Sequence, residues 1–591
     1  MQFNIIDWVI ISLYLVISLL IGLWYKKRSE SNITDFFLSG RNLPWYVAGI
    51  SMVATTFAAD TPLAVTELVA KNGISGNWLW WNMLIGGMLT VFFFARLWRR
   101  ANVLTELELI EVRYGGKGAS FLRSFKSIYL GLFMNSIVIA WVNLAMMSII
   151  SVFFGISKEY LILTIAGLMF ITMIYSAMSG LWGVAITDIV QFIIAISGCI
   201  VLAIFVLNSD KIGGIDGLKE KVPNWSMNFF PNIRNNSIGN IASSLTISIW
   251  TFVAFIGVQW WASWYPGAEP GGGGYISQRM MSCKDEKHSI YATLFFQIAH
   301  YCLRPWPWII VGLASLVLYP DLSDTDKKLG FIFAMRDYLP AGLKGLLFVA
   351  FLAAYMSTIS TQMNWGASVL VNDFIKRFKF FNKENQESNQ DKRLVKYARF
   401  STLFIMVVSL FITTQIETIS GVWSFVIECG AGLGSVLILR WFWWRINIWS
   451  EITATIFPFF AYYFSKYIIK ADYPFSFFIT VGLTTVAWIL VTILTKPESK
   501  DTLKKFYLLV MPYGNWKPIQ KELSLEQDSN YGQVFKLIVC WLSSIIFVYS
   551  ILFLTGKLIF KEWNEALMYF IITILSGIVM KIFIDKTKIL N

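Results

Sequence analysis

The sequence predicts an all-α polytopic membrane protein, and three observations carry that reading. Hydrophobic residues make up 56% of the 591 and charged residues only 14%, where a soluble domain carries about a quarter charged residues. The charges crowd between long apolar runs such as 5–25, 77–95 and 537–556. Each run is close to the ~20 residues that a helix needs to cross hydrocarbon. Barrel strands would be about 10 residues long and alternating, so strands are excluded.

About fifteen spans follow in order: 5–25, 45–68, 77–98, 127–155, 159–178, 182–207, 241–262, 289–318, 342–372, 398–419, 422–443, 447–468, 475–495, 535–556 and 565–585. Loop charge orients them. Lys26, Lys27, Arg28 and Arg41 follow the first span, and Arg99, Arg100, Arg113, Lys117, Arg123 and Lys126 follow the third. Arg279, Lys284 and Lys287 follow the seventh; Lys376, Arg377, Lys379, Lys383, Lys392, Arg393 and Lys396 follow the ninth. Lys496, Lys500, Lys504 and Lys505 follow the thirteenth, and Lys581, Lys586 and Lys588 end the chain. All of these fall on one side, which the positive-inside rule makes cytoplasmic, with the N-terminus outside and the C-terminus inside. Loops 208–240 and 319–341 fall outside and are long enough to cap or gate that face. Spans two to six begin inside and spans seven to eleven begin outside, as two inverted five-helix repeats require. The chain then divides into 1–44 (an extra helix and cytoplasmic loop), 45–207 and 241–443 (the two repeats), and 444–591 (additional helices).

The net charge of +13 sits in those loops, so it indicates membrane orientation and not nucleic-acid binding. Cys199, Cys283, Cys302, Cys429 and Cys540 show no paired spacing, and neither a disulfide framework nor a zinc site is expected. The first apolar run has no basic segment before it and is too long for a signal peptide core, so it reads as a retained helix.

Polar residues inside apolar spans are costly and therefore the first functional candidates. In 342–372, Ala354, Ser357, Thr358 and Thr361 share one face at about 100° per residue, with Ser360 at its border. Hydroxyls in such a stripe either bind a hard cation or let helices pack closely. Asp188, near Thr187 and Gln191, either holds a cation or stabilises a helix N-terminus. Ser51–Pro62 contains Thr55, Thr56, Asp60 and Thr61; Pro62 disfavours a continuous helix, and a broken helix exposes backbone groups to a ligand. His300 and Arg304 lie in 289–318. A buried guanidinium needs a partner, either Asp60 or Glu428 or an anionic substrate. Trp78, Trp80, Trp81, Trp260, Trp261 and Trp264 offer planes for a sugar or form interfacial belts. Gly430–Gly434 has no preceding strand, so it is not a dinucleotide loop; close packing or unwinding fits better. Gly271–Gly274 lacks the Lys-Ser/Thr of a phosphate loop. Two histidines, His288 and His300, are too few for a metal-centred enzyme.

Four motifs stand in order: Asp35–Arg41 (DFFLSGR), Gly183–Gln191 (GVAITDIVQ), Tyr275–Arg279 (YISQR) and Ala353–Thr361 (AAYMSTIST). Together they resemble the sodium/solute symporter family over about residues 5–500. The resemblance implies two inverted five-helix repeats with broken first helices. It implies a sodium ion held by carbonyls of Ala54, Phe57 and Ala354 and hydroxyls of Ser357 and Thr358. It also implies, as in some members, a second sodium at Asp188, Ser360 and Thr361, so one or two Na+ ions in all. Among sugar carriers of the family, Thr61 and His300 fall at substrate positions. The full substrate set expected is Thr56, Asp60, Thr61, Trp81, Trp261, Trp264, His300 and Arg304. Residues 264–271 form an insertion relative to the sugar-carrier pattern, and Arg304 is a further departure. The expected function is sodium-coupled import of a small polar organic solute (a sugar, organic acid or amino acid) in a bacterial inner membrane, by alternating access. The expected partners are that solute and the lipid bilayer, with no nucleic acid and no enzymatic activity; no oligomeric state follows. The alternatives are proton coupling on the same fold or a non-transporting sensor.

Overall fold

The computed structural model of the chain describes residues 3–29, 33–233, 245–377, 387–416, 419–525 and 531–590. Among these there is no strand, only isolated bridges, and each of the fifteen apolar stretches is helical over most of its described length. The start of 241–262, with the expected repeat boundary, and Lys379 and Lys383 lie outside the described residues. Nine described helices are long and apolar enough to cross a membrane, or ten if the bent pair Trp45–Thr55 (α1) and Asp60–Asn72 (α2) is one span. The other stretches are shorter or interrupted.

Two interruptions and one continuity matter for the site. Stretches 159–178 and 182–207 are joined in one helical run, Lys158–Leu207 (α3). Straight, its 50 residues would extend ~75 Å, well beyond the ~30 Å of hydrocarbon. Within it, Ser176 donates to the Ser360 carbonyl, and Asp188 accepts from Ser357.

Ile249–Ala262 (α4) stops at Ser263, whose backbone is extended, and a helix resumes at Gly274–Ser282 (α5). Glu286–Leu318 (α6) and Leu343–Asp373 (α7) follow. Ile419–Cys429 (α8) and Leu433–Phe442 (α9) are separated by a turn at 430–432. Gly432 there takes φ +97°, and a Cβ on Gly434 would stand 2.2 Å from the Trp261 carbonyl. Both expected roles of that glycine run, unwinding and close approach, are therefore present.

The loops that carry the basic clusters are tied to one another at one end of the bundle. Arg41 donates to the Asn102 carbonyl, Arg99 to the Cys283 carbonyl, and Arg100 pairs with Glu286. Arg123 bridges Asp373, Arg377 bridges Glu111, and Lys126 bridges Glu451. Arg113, fully buried, donates to the carbonyls of Arg440, Trp443, Trp444 and Ile446. At the other end, Asp7 accepts from the amides of Gly342 and Gly345. Loops 208–240 and 319–341 carry short helices, Gly214–Lys221 and Gly330–Tyr338. Gly330 packs on Ser315, and Ser226 packs on Gly73 at the end of α2.

Candidate functional site

The site begins with the backbone of α1. A helix leaves its last four carbonyls without intrahelical donors, and here those belong to residues 52–55. Pro62 explains the stop: in a continuous helix its ring would strike the carbonyl of residue 58, which lies in the gap. Pro62 itself sits in the first turn of α2, where a missing N–H costs nothing. The two helices meet at 58°.

Each orphan carbonyl has found a donor. Met52 accepts from the Thr56 amide at 3.2 Å and Ala54 from the Phe57 amide at 3.0 Å. Val53 accepts from Thr56 Oγ1 at 2.9 Å and from Arg304 at 3.0 Å. Thr55 accepts from Thr358 Oγ1 at 2.9 Å, and the same hydroxyl lies 3.2 Å from the Ala354 carbonyl. The stripe on α7 and the broken end of α1 are therefore in direct contact. The carbonyl that Thr358 meets is Thr55, one residue after Ala54 and two before Phe57.

Ser357 faces elsewhere. Its hydroxyl donates to Asp188 Oδ1 at 2.7 Å, while Asp188 Oδ2 accepts from Ser51 at 2.5 Å. Arg279 on α5 completes this cluster. Its Nη2 is 3.8 Å from Asp188 and 2.8 Å from Thr361 Oγ1, and its Nε donates to Ser51. Thr361 also lies 3.1 Å from Thr55 Oγ1. Ser360 stands apart, donating to the Ser357 carbonyl on its own helix. Of the three residues of the second expected site, Asp188 and Thr361 are thus linked through a guanidinium, and Ser360 is not linked to either. All of these side chains are buried. Ser51, Thr55 and Arg279 were not assigned roles from sequence. The signals were present: Ser51 and Thr55 are four residues apart and share a helix face, and Arg279 lies in the third motif.

A cavity of about 120 Å³ opens beside this contact. Thr55 and Thr358 border it, so an ion held there and a solute in the cavity would be neighbours. Thr56, Asp60 and Thr61 line it from the gap and the start of α2, and His300 and Arg304 from α6. The stretch Ala299–Leu303 is a wider π turn, as is frequent at functional sites, and Pro305 and Pro307 just beyond it lack amide protons. Residues 265–268 of the α4–α5 gap form another wall. Gly267 takes φ +84° there, and a Cβ on it would fall 2.1 Å from the Tyr275 hydroxyl.

Two expectations are corrected. Arg304 pairs with neither Asp60 nor Glu428: its donors go to Val53, Thr56 and His300, and Glu428 accepts from Ser476. Trp81, Trp261 and Trp264 do not line the cavity; Trp80, Trp141 and Trp423 do. Rotation by about 100° per residue turns Trp80 inward, and Trp81, fully buried, packs on Trp78, Trp80 and Phe553. Trp261 donates to the Gly257 carbonyl on its own helix. Trp264, beyond the extended Ser263, meets the Gly430 carbonyl with its amide. Among the described residues, no three His, Cys, Asp or Glu side chains gather as a metal cluster.

Residues 36–456 match the profile described as "Sodium:solute symporter family". A sodium/glucose cotransporter of Vibrio parahaemolyticus is 24% identical over 465 residues, covering 74% of this chain and 81% of that protein. Sodium/glucose cotransporter 1 of Oryctolagus cuniculus is 23% identical over 481 residues, covering 75% and 69%. The solved structure of a Na+-coupled sialic acid symporter, substrate-bound and outward-open, aligns at TM-score 0.64 and 19% identity, covering 84% of this chain and 99% of that one. At that identity the likeness is one of fold. The profile spans well over half of the sequence: the chain belongs to the sodium:solute symporter family, whose members are membrane transporters and not enzymes.

Proposed function

We propose that this multi-pass protein imports a small polar organic solute together with sodium by alternating access, in a bacterial inner membrane with the N-terminus outside. The observation that carries the reading is the contact of Thr358 Oγ1 with the Thr55 carbonyl at 2.9 Å and the Ala354 carbonyl at 3.2 Å. A hard cation favours such oxygens, and they come from two elements that a transport cycle can move apart. The residues proposed to hold sodium are Ala54, Phe57, Ala354, Ser357 and Thr358. Asp188, Ser360 and Thr361 are the proposed ligands of a second ion, which would have to share Asp188 and Thr361 with Arg279.

Sodium entering from outside would bridge α1 and α7 and hold the cavity in its solute-accepting shape. Solute would then complete the cavity wall, and the inner side would open. Coupling of this kind is reciprocal: each ligand raises the affinity of the other. The membrane potential contributes about 2.3 kcal/mol per charge per 100 mV, so the number of ions sets how steeply solute is concentrated.

Proton coupling is the second reading, favoured by Asp60, a buried carboxylate with one oxygen lacking any hydrogen-bond partner. Uptake into proteoliposomes at fixed pH, with sodium replaced by choline, separates the two. Sodium coupling predicts loss of concentrative uptake; undiminished flux in choline overturns it.

A further inference from the structure

Arg304 carries a charge that nothing around it neutralises. It is fully buried, and every polar partner it has is neutral. Those partners are the Val53 carbonyl at 3.0 Å, Thr56 Oγ1 at 3.1 Å, the His300 carbonyl at 3.4 Å and the His300 ring. A guanidinium keeps its charge and only donates, so His300 Nδ1 is the acceptor in that contact. The rings of Phe57 and Trp308 lie with centroids 5.9 and 5.5 Å from the guanidinium carbon. Dipoles and ring faces thus solvate the charge, but among the described residues no carboxylate forms an ion pair with it.

The same cavity holds a buried acid that forms no ion pair among the described residues. Asp60 is 3% exposed, and its Oδ1 has no hydrogen-bond partner. Both residues line the cavity, yet no ion pair joins them. Buried charges left apart are costly unless something answers each of them. A guanidinium and a carboxyl that line one cavity and are joined by no ion pair describe the ligand that fits between them.

We propose that the transported solute bears a carboxylate that lies against Arg304 and Thr56, and a hydroxyl or ammonium group that donates to Asp60. This rests on the symport reading above and names the substrate class for it: small hydroxy, sugar or amino acids. The size agrees. A cavity of about 120 Å³ holds roughly four waters at the ~30 Å³ that each takes in the liquid, room for a small solute and not for an oligomer. Trp80, Trp141 and Tyr301 supply apolar faces for its carbon skeleton. Arg304 determines specificity by charge, and the neutral sugar of the same shape leaves the guanidinium unanswered.

The test is direct binding to the purified full-length protein, measured by thermal shift and titration calorimetry in sodium and in choline. The probes are D-galacturonate, D-gluconate and L-lactate, each set against its neutral counterpart: D-galactose, D-glucitol and L-lactamide. At least one acid should bind in sodium, with its neutral counterpart at least about tenfold weaker. Arg304→Gln should weaken that acid by at least about tenfold while keeping the sodium-induced shift, and Arg304→Lys should lose less. Equal or tighter binding of the neutral counterparts overturns the proposal, as does unchanged acid affinity in Arg304→Gln. Failure of every probe while sodium still shifts the protein overturns it too and leaves sodium coupling standing. Absence of any sodium shift overturns the symport reading instead. If Arg304→Gln does not fold, the comparison of acid with neutral counterpart on the unaltered protein decides.

Discussion

Two helices, α1 and α4, stop inside the bundle, and they stop in different ways. The gap after α1 is residues 56–59; the gap after α4 is residues 263–273. In the short gap, the freed carbonyls are answered partly from other helices, by Thr358 of α7 and Arg304 of α6. In the long gap, several bonds close within the gap itself: Ala268 to the Tyr265 carbonyl, Gly272 to the Glu269 carbonyl, and the Gly267 amide to Glu269. Glu106 takes the Gly274 amide at 2.5 Å. Away from water, every interrupted backbone group must be satisfied by protein. A short interruption borrows its partners and so senses where its neighbours stand. A long one supplies many of its own and can serve as a wall. The first suits an ion that couples two helices, the second a fixed boundary for a solute.

Four substitutions sharpen that contrast, or break it. The largest effect belongs to Gly267→Ala. Its positive φ disfavours a side chain by about 1–3 kcal/mol, and the Tyr275 hydroxyl is already in the new carbon's place. Solute affinity measured in sodium should fall roughly a hundredfold, while sodium binding measured without solute persists. Loss of both would show that the wall is not a separate device. Next is Thr358→Val, expected to raise the half-saturating sodium concentration for uptake about tenfold, equivalent to ~1.4 kcal/mol; Thr358→Ser should restore most of it. Ser357→Ala should raise it less, about threefold, because its hydroxyl has to give up its bond to Asp188 before it can reach the ion. An equal effect at both positions would show that the bond to Asp188 does not hold Ser357 back from the ion. The smallest effect is at Gly257→Ala in α4, where a Cβ would meet nothing within 4 Å. Stability, followed by thermal unfolding, should stay within about 0.5 kcal/mol.

Local rules in the sequence reached further than directional ones. Pro62 marks the end of α1 because its clash is with a defined carbonyl. The face shared by Ala354, Ser357, Thr358 and Thr361 follows from helix period alone; in the structure Thr358 and Thr361 meet Thr55 of α1, while Ser357 turns to Asp188. The basic loops after the first, third, seventh, ninth and thirteenth stretches are joined in space. What was not legible depends on which way a side chain turns. With 26 tryptophans, no composition argument separates Trp80 from Trp81; one residue of rotation does, and its phase is set by the packing of neighbours. Arg279 was visible as a motif residue, but its position between Asp188 and Thr361 needs three helices to be placed at once. The Pro- and Gly-rich 264–271 segment read as an insertion, while the place of residues 265–268 in the cavity wall required coordinates.

The Arg113 clamp has a consequence for how the chain is made. Its acceptor carbonyls lie 327 to 333 residues later in sequence. At about 5–20 residues per second, that stretch takes roughly 20–60 s to synthesise. Throughout that interval the guanidinium lacks those four acceptors. The first half of the nascent protein therefore waits, incompletely closed at that end, until the turn at 440–446 leaves the ribosome and locks it.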